Sequence, residues 1–396
     1  MAKKRVTYVC LECGYTSPGW LGKCPSCGTW GSLSEQSPPP AGESGKRTSK
    51  GADPVKLSEI SVPSDARIET GIGEFDRVAG GGLVRGGCVL LAGSPGVGKS
   101  TLLLQVASRL AERGERVLYV SGEESAFQVK LRAERLGAGG DEIYLLPETS
   151  VESILSVIEE VSPSVVIVDS VQTLSTETAQ GLPGSVSQVR ESTALLVDEA
   201  KRRNLPLILV GHVTKEGVIA GPKLLEHMVD AVFQFDGEKG HPYRVLRAAK
   251  NRFGSVSEVG VFEMTGSGLA EVSDPSGIFA GSGAGGVPGM VVYPALQGMR
   301  TLLVEVQALV SRSYLPVPRR VSVGVDLSRS QILSTIVEKY CGVSLAGCDL
   351  FLNVAGGWKI ADTGADLALV SAILSGALDV PVPSGFTCFG EVGLGG

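Results

Sequence analysis

Gly93-Ser94-Pro95-Gly96-Val97-Gly98-Lys99-Ser100 decides how this chain is read. It fills every fixed position of G-x-x-x-x-G-K-[ST], a loop whose backbone N–H groups cradle phosphates. The apolar run Cys88-Val89-Leu90-Leu91-Ala92 leads into it and reads as a buried strand, and Thr101 to Arg113 follows with helical periodicity. Strand, glycine turn and helix N-terminus in that order bring inward-facing amides and the positive end of a helix dipole to one point. The candidate ATP-binding segment is therefore Gly93, Ser94, Pro95, Gly96, Val97, Gly98, Lys99, Ser100 and Thr101. Lys99 would reach the β/γ-phosphates and the Ser100 hydroxyl would ligate Mg²⁺.

Around this loop, residues 57–272 alternate short apolar strands with amphipathic helices. Strands are expected at 88–92, 116–121, 143–147, 164–169, 206–212, 231–236, 243–250 and 258–264, with helices at 100–113, 125–136, 151–161 and 186–203. That alternation predicts an α/β fold with a mainly parallel sheet covered on both faces. The last three strands have no helices between them and should form an antiparallel extension.

Turnover requires a Mg²⁺ carboxylate, a group that orients water, and charge that offsets the transition state. Val165-Val166-Ile167-Val168-Asp169 ends a buried strand in an acid, so Asp169 is the candidate second Mg²⁺ ligand; a strand-end Asp that caps the next turn is the alternative. Leu118-Tyr119-Val120-Ser121-Gly122-Glu123-Glu124 brings two carboxylates to the carboxyl end of another strand, where α/β sites lie. Glu123 is favoured as the water-polarising group, with Glu124 the alternative; both could instead cap the helix that follows. Ala249-Lys250-Asn251-Arg252-Phe253-Gly254 places two cations one residue apart on an extended segment, so Lys250 and Arg252 point the same way. They suit phosphate oxygens, of an ATP held by a neighbouring subunit or of a DNA backbone; an ordinary solvated basic turn has the same composition.

The N-terminal region has its own chemistry. Cys10-Leu11-Glu12-Cys13-Gly14 and Cys24-Pro25-Ser26-Cys27-Gly28 are two knuckles, and four thiolates from Cys10, Cys13, Cys24 and Cys27 make a closed tetrahedral Zn²⁺ site. A redox pair or an iron–sulfur centre are the rivals. So short a segment has no core of its own, so the metal would supply its folding energy. Ser, Pro, Gly and charged residues at 34–54 read as a mobile linker. Cys88, Cys341, Cys348 and Cys388 read as buried thiols. The net charge of −6 argues against a basic nucleic-acid coat, although residues 1–50 carry seven Lys/Arg against three Asp/Glu. No secretory leader and no apolar run of the ~20 residues needed to cross a bilayer is visible, which points to a cytoplasmic protein without a membrane partner.

Beyond Gly281-Ser282-Gly283-Ala284-Gly285-Gly286 a further α+β unit is expected. Its strands are read at 287–310, 321–325 and 348–354 and its helices at 328–341 and 364–378. The pattern stops at Gly393-Leu394-Gly395-Gly396 and reads as an incomplete unit.

The zinc knuckles, the phosphate loop with its lead-in Thr70-Gly71-Ile72-Gly73-Glu74-Phe75-Asp76, Lys250-Asn251-Arg252-Phe253-Gly254 and Asn353-Val354-Ala355-Gly356-Gly357 follow in an order that resembles the bacterial RadA (Sms) family of DNA repair proteins, over the whole chain. The resemblance implies a C4 zinc finger at 6–31, a flexible linker at 32–56, a RecA-like ATPase core at 57–274 and a Lon-protease-like domain at 285–396. It implies a homo-hexameric, DNA-dependent ATPase of the stress response that drives branch migration on single-stranded and branched DNA. A recombinase or replicative helicase would be its protein partner. Lys99, Ser100 and Asp169 match the family's nucleotide residues, Glu123 its water-activating carboxylate, and Lys250 and Arg252 a signature that acts across subunits or on DNA. Thr173 to Ser185 and Thr214 to Glu226, the latter with Lys215 and Lys223, resemble its two DNA loops. His212, at the end of the strand before the second loop, could sense the γ-phosphate or be a packed histidine.

The C-terminal unit departs from an active Lon protease. Ala365 stands where that enzyme carries its nucleophilic Ser, and the partner Lys is expected beyond Gly396. An assembly or DNA-binding role is expected instead. Two other functions stay open on the residues alone: an ATP-switched DNA- or protein-binding module that does not translocate, and an ATP-dependent peptidase.

Overall fold

The computed structural model describes residues 7–10, 16–25, 28, 30–31, 33–36, 56, 66–212, 224–237, 242–273, 286–297, 300–355 and 359–396. Cys13, Cys27, Lys215, Lys223, nearly all of the linker, the Gly281–Gly285 stretch and Gly356-Gly357 lie outside the described residues. The chain divides into two compact units, Met1–Phe235 with Ala248–Gly254, and Asp236–Arg247 with Ser255–Gly396.

The first unit opens with β1 (Thr7–Cys10), β2 (Thr16–Ser17) and β3 (Leu33–Gln36), antiparallel in the order β2-β1-β3. Cys10, Cys24 and Leu33 are buried together with Tyr8 against them. The strands β4 (Arg67–Ile68) and β5 (Leu83–Val84) pair on either side of α1 (Gly73–Ala79). The lead-in motif explains itself here: the Asp76 carboxylate accepts from the Thr70 and Gly71 N–H groups and the Thr70 hydroxyl, which closes the turn before α1.

Then come β6 (Cys88–Gly93), α2 (Lys99–Glu112), β7 (Val117–Ser121), α3 (Ala126–Leu136), β8 (Ile143–Pro147), α4 (Val151–Val161), β9 (Val165–Asp169), α5 (Val186–Arg203), β10 (Leu207–His212), α6 (Leu224–Met228) and β11 (Ala231–Asp236). The strands run parallel in the order β11-β6-β10-β9-β7-β8. Every residue of β6 and β7 is buried, as a strand covered on both faces requires. One face packs Leu90, Val120, Val166 and Leu209 against Ile154 and Ile158 of α4 and Val189 and Leu196 of α5. Helix starts are set locally: Ser125 and Gln128 form a capping box on α3, and the Ser150 hydroxyl accepts from Ser153 N–H on α4. The strand order puts β10 between the strand that leads into the phosphate loop and the strand that ends in Asp169.

The second unit takes in the Tyr243–Arg247 portion of β12 (Tyr243–Asn251), which pairs antiparallel with β13 (Val259–Thr265), which in turn pairs with β14 (Gly268–Glu271). After β15 (Met290–Gln297) and β16 (Arg300–Arg312) come β17 (Arg320–Val323), α7 (Leu327–Cys341), β18 (Cys348–Val354) and α8 (Asp366–Leu378). The sheet order among the described residues is β15-β16-β18-β17, with β17 and β18 parallel. Val304 and Val306 of β16 pack with Leu333 and Val337 of α7 and Leu369 and Ile373 of α8.

Some details differ from the sequence reading. Of the four thiols read as buried, Cys88 and Cys388 are, but Cys341, at the end of α7, is exposed and Cys348, at the start of β18, is half-buried. The 287–310 run is a hairpin of two strands, not one continuous element. The compact units also divide elsewhere than at 274–285. Val259 and Val261 of β13 are buried in the core of the C-terminal unit, and that strand is counted with it.

Candidate nucleotide-hydrolysis site

Gly98 is the N-cap of α2 with φ 114°, a backbone conformation that favours glycine. It turns the loop so that the first N–H groups of α2, which have no partner inside the helix, face the loop's concavity. Lys99 is buried, and its ammonium donates to the carbonyls of Gly93 at 2.8 Å and Ser94 at 3.2 Å. Burial pulls the Lys99 pKa below its ordinary value, while the Asp169 and Glu123 carboxylates push it back up. The amine and both acids therefore share one field. Ser100 is half-buried at the second position of the helix.

Asp169 closes β9 in register with Ser121 at the end of β7. The Tyr119 phenol donates to Asp169 Oδ2 at 2.8 Å. Tyr119 is 2% exposed, and burial together with the Asp169 charge drives its hydroxyl well above its ordinary pKa, so it stays a donor. The Asp169–Ser170 peptide is cis.

Glu123 and Glu124 part company. Glu123 accepts the Ser170 hydroxyl, beside Asp169. Glu124 is paired with the Arg132 guanidinium of α3, and its backbone is tied to Ser121 by two bonds, 2.7 Å from its carbonyl and 3.2 Å from its N–H. Lys99, Asp169 and Glu123 are thus brought together, and Glu124 is turned to α3. Asp169 and Ser100 supply a carboxylate and a hydroxyl, the hard oxygen donors that Mg²⁺ takes alongside phosphate oxygens.

Lys250 and Arg252 lie elsewhere. The Lys250 ammonium donates to the carbonyls of Glu226 and Val229, at 2.6 and 2.7 Å. Arg252 meets the Asp230 carboxylate at 3.1 Å, and the other oxygen of Asp230 accepts from the Cys88 N–H at 3.1 Å. Cys88 starts β6 and Gly93 ends it. Five residue steps at ~3.3 Å separate the two cations from the phosphate loop of their own chain by roughly 17 Å. The rest of the motif faces inward: Asn251 donates to Val78 O at 3.2 Å and accepts from Phe253 N–H at 2.9 Å, and Phe253 O accepts from Arg67 at 2.6 Å.

The segment after β9 is anchored at both ends. A 3-10 turn, Val171–Thr173, begins it. Gln188 of α5 accepts from Thr176 N–H at 2.8 Å and donates to Ala179 O at 2.7 Å, while Leu182 near its tip is 81% exposed. The second candidate DNA loop lies almost wholly outside the described residues; the His212 backbone runs level with Gly93. In the C-terminal unit, Ala365 is buried and has no hydroxyl to attack a peptide. Ahead of it the Asp362 carboxylate accepts from the Gly364 N–H and the Tyr293 phenol, each at 2.9 Å. Behind it buried Asp366 pairs with Arg329.

Sequence reasoning missed Tyr119, Ser170 and Asp230. A Tyr inside an otherwise apolar buried strand carries a signal, because its hydroxyl must find a partner. Asp230 and Ser170 carry none, since their partners are far away in sequence.

Among the described residues no group of three or more His, Cys, Asp or Glu could hold a metal, two of the four knuckle cysteines being outside them. Nor is any helix among them long and apolar enough to cross a membrane.

A zinc-ribbon family model, described as a rubredoxin metal-binding domain, matches residues 8–35, and an ATPase family model, described as KaiC, matches residues 68–145. The "DNA repair protein RadA" of Bacillus subtilis is 47% identical over 402 residues, which cover 100% of this chain and 88% of that protein. That of Pseudomonas aeruginosa is 48% identical over 399 residues, with the same coverage. A KaiC-like protein of Pyrococcus horikoshii aligns in structure with 52% of this chain and 98% of its own, at 22% identity and a TM-score of 0.43. The fold is a RecA-like α/β ATPase behind a zinc ribbon, its cofactors are Zn²⁺ and Mg²⁺ with ATP, and the chain is an ATP-hydrolysing enzyme. It belongs to the RadA family of DNA repair proteins.

Proposed function

We propose that this chain is a DNA-dependent ATPase that drives branch migration of recombination intermediates, as a ring of identical subunits on single-stranded DNA. One observation carries the reading. Lys99, Asp169 and Glu123 converge at the carboxyl edge of the parallel sheet, while Lys250 and Arg252 are mounted together at the opposite edge. Phosphoryl transfer needs both a pocket and offsetting positive charge. One chain offers the two at separate places, so the site is complete when another copy presents its cations.

Ser100 and Asp169 would hold Mg²⁺, which when bound neutralises charge on the phosphate oxygens. The chain's own groups do the rest. Lys99 leaves the Gly93 and Ser94 carbonyls for the phosphates. Tyr119 keeps Asp169 aimed. Glu123 polarises the attacking water, because Glu124 is committed to Arg132. Thr173–Ser185 and the second loop with Lys215 and Lys223 contact the polynucleotide. Their register in the ring converts turnover to movement. The names of the relatives place the work in DNA repair, and the zinc module supplies a contact for DNA or for a partner protein.

The test measures ATP turnover with and without single-stranded DNA, and strand displacement on branched DNA, for the parent, Lys99→Ala and Glu123→Gln. DNA-stimulated turnover with displacement, abolished in Lys99→Ala, is expected. Stimulated turnover in Lys99→Ala would refute the site. DNA binding without displacement by the parent would refute the motor in favour of a nucleotide-switched module.

A further inference from the structure

Ser170 is fully buried and directly follows Asp169. Its hydroxyl donates to Glu123 Oε1, and its carbonyl accepts from the Thr173 hydroxyl at 2.8 Å. The turn Val171–Thr173 closes over the residue before Glu123. A Cβ on Gly122 would lie 2.0 Å from Thr173 Oγ1, so the backbone there tolerates no side chain while the turn stays in place. The Gly122 N–H in turn donates to Asp169 O at 2.8 Å. Glu123 is thus held twice, by its backbone through Gly122 and by its carboxylate through Ser170. Both holds end on Asp169 and Ser170, the two residues that lead into the Val171–Thr173 turn and so into the Thr173–Ser185 segment.

We propose that Ser170, braced by Thr173, is a positioning residue for Glu123, and that this contact transmits the placement of the 173–185 segment to the carboxylate that orients water. The proposal rests on the reading of Glu123 given above. Glu123 is exposed on a flexible stem, so without the Ser170 hydroxyl its carboxylate samples more rotamers, fewer of them aimed at the site. Misplacing a reacting group by an ångström costs orders of magnitude in rate without touching substrate affinity. Polynucleotide seated on the segment sets the turn, the turn sets Ser170 and Gly122, and these set the carboxylate. Such a chain links DNA to turnover through Ser170 and Gly122, which lie between the DNA-contacting segment and the carboxylate.

The experiment is a double-mutant cycle on the full-length chain: parent, Ser170→Ala, Glu123→Gln and the double variant. Turnover is measured at saturating single-stranded DNA, and binding of a fluorescent ATP analogue is measured separately. Ser170→Ala should lower kcat about tenfold with KM and analogue binding unchanged, because general-base catalysis is impaired and binding is not. Added to Glu123→Gln it should cost nothing further, because Ser170 works only through that carboxylate. Thr173→Val, which keeps the shape and loses the hydroxyl, should reduce the stimulation by DNA, and Thr173→Ser should restore it. It also serves as the second probe if Ser170→Ala does not fold. Equal losses from Ser170→Ala in both backgrounds, or parental turnover in Ser170→Ala beside a slow Glu123→Gln, would overturn the positioning role alone. Parental turnover in Glu123→Gln would overturn the reading of Glu123 and this proposal with it.

Discussion

Tyr119→Phe isolates one bond in the site. The ring stays, so no cavity opens, and only the hydroxyl that donates to Asp169 Oδ2 at 2.8 Å is lost. A hydrogen bond to a charged acceptor is worth about 1.5–3 kcal/mol. Asp169 is half-buried, so water replaces part of the loss and the lower end, about 1.5 kcal/mol, applies. For a unit of this size each kcal/mol moves the melting temperature about 2–4 °C, which gives a fall of roughly 3–6 °C. The functional effect has a separate signature. Asp169 released from Tyr119 must be reoriented before it ligates Mg²⁺, and about 1 kcal/mol of such cost raises the half-saturating Mg²⁺ concentration for nucleotide binding about fivefold. Nucleotide binding in EDTA should not change. Calorimetric melting and a Mg²⁺ titration of fluorescent ADP binding read the two effects. A melting temperature within a degree of the parent, together with an unchanged Mg²⁺ midpoint, would show that the phenol neither stabilises nor aims Asp169.

Asp230→Ala tests whether the two edges of the sheet are independent. It strands the Cys88 N–H and the Arg252 guanidinium, and because Arg252 is largely exposed the loss should be about 2 kcal/mol. Analogue binding roughly 17 Å away should be untouched; a matching fall in affinity would refute the separation. Glu148 gives a pH signature. The N–H groups of Ser150 and Thr149 hold its carboxyl below the usual 4.5. A depressed folded pKa means stability that is present above the ordinary value and lost as pH falls through the folded one. The difference in melting temperature between parent and Glu148→Gln should therefore be constant above pH 5 and shrink below it; a constant gap down to pH 3 would contradict the assignment. Cys10→Ser should cost the chain its zinc, read as metal per chain after dialysis, and full retention would remove Cys10 from the ligand set.

How much of this was legible beforehand depended on whether the cause was local. The phosphate loop, its strand and its helix lie within about 25 consecutive residues, and their periodicity and glycines carried the whole element. Asp169 was legible for the same reason, as an acid that ends an apolar strand. The choice between Glu123 and Glu124 was not, because both follow β7 at the same distance. Arg132, eight residues on, and Ser170, on a different strand, separate them. The boundary between units was likewise hidden. β13 has the same alternation whichever core it joins, and only the burial of Val259 and Val261 beside β16 and α8 assigns it. Hydrophobic pattern says that a strand has an inner face, not which core that face meets.

The Lys250–Gly254 motif shows how one short string can serve both packing and charge placement. On extended backbone, alternate residues face opposite ways. The Asn251 side chain reaches Val78 O and the Phe253 carbonyl accepts from Arg67, and these bonds fix the strand end in place. Lys250 and Arg252 face the other way and are steadied by carbonyls and by Asp230, with the Arg252 side chain 57% exposed. The inward residues set where the outward ones stand. An ammonium at the end of β12 and a guanidinium just past it, both already held by hydrogen bonds, present charge at a reduced entropy cost of freezing long side chains, which is what a partner's phosphates require. Distance excludes the phosphate loop of the same chain, and a fixed mount is wasted on bulk solvent. We propose that the cations serve a second molecule, and mixing Lys99→Ala and Arg252→Ala chains tests whether that molecule is another copy's nucleotide or a DNA strand. Turnover restored by mixing two inactive variants requires that one chain's Arg252 complete another chain's pocket; no restoration, with DNA affinity lost in Arg252→Ala alone, assigns the pair to DNA.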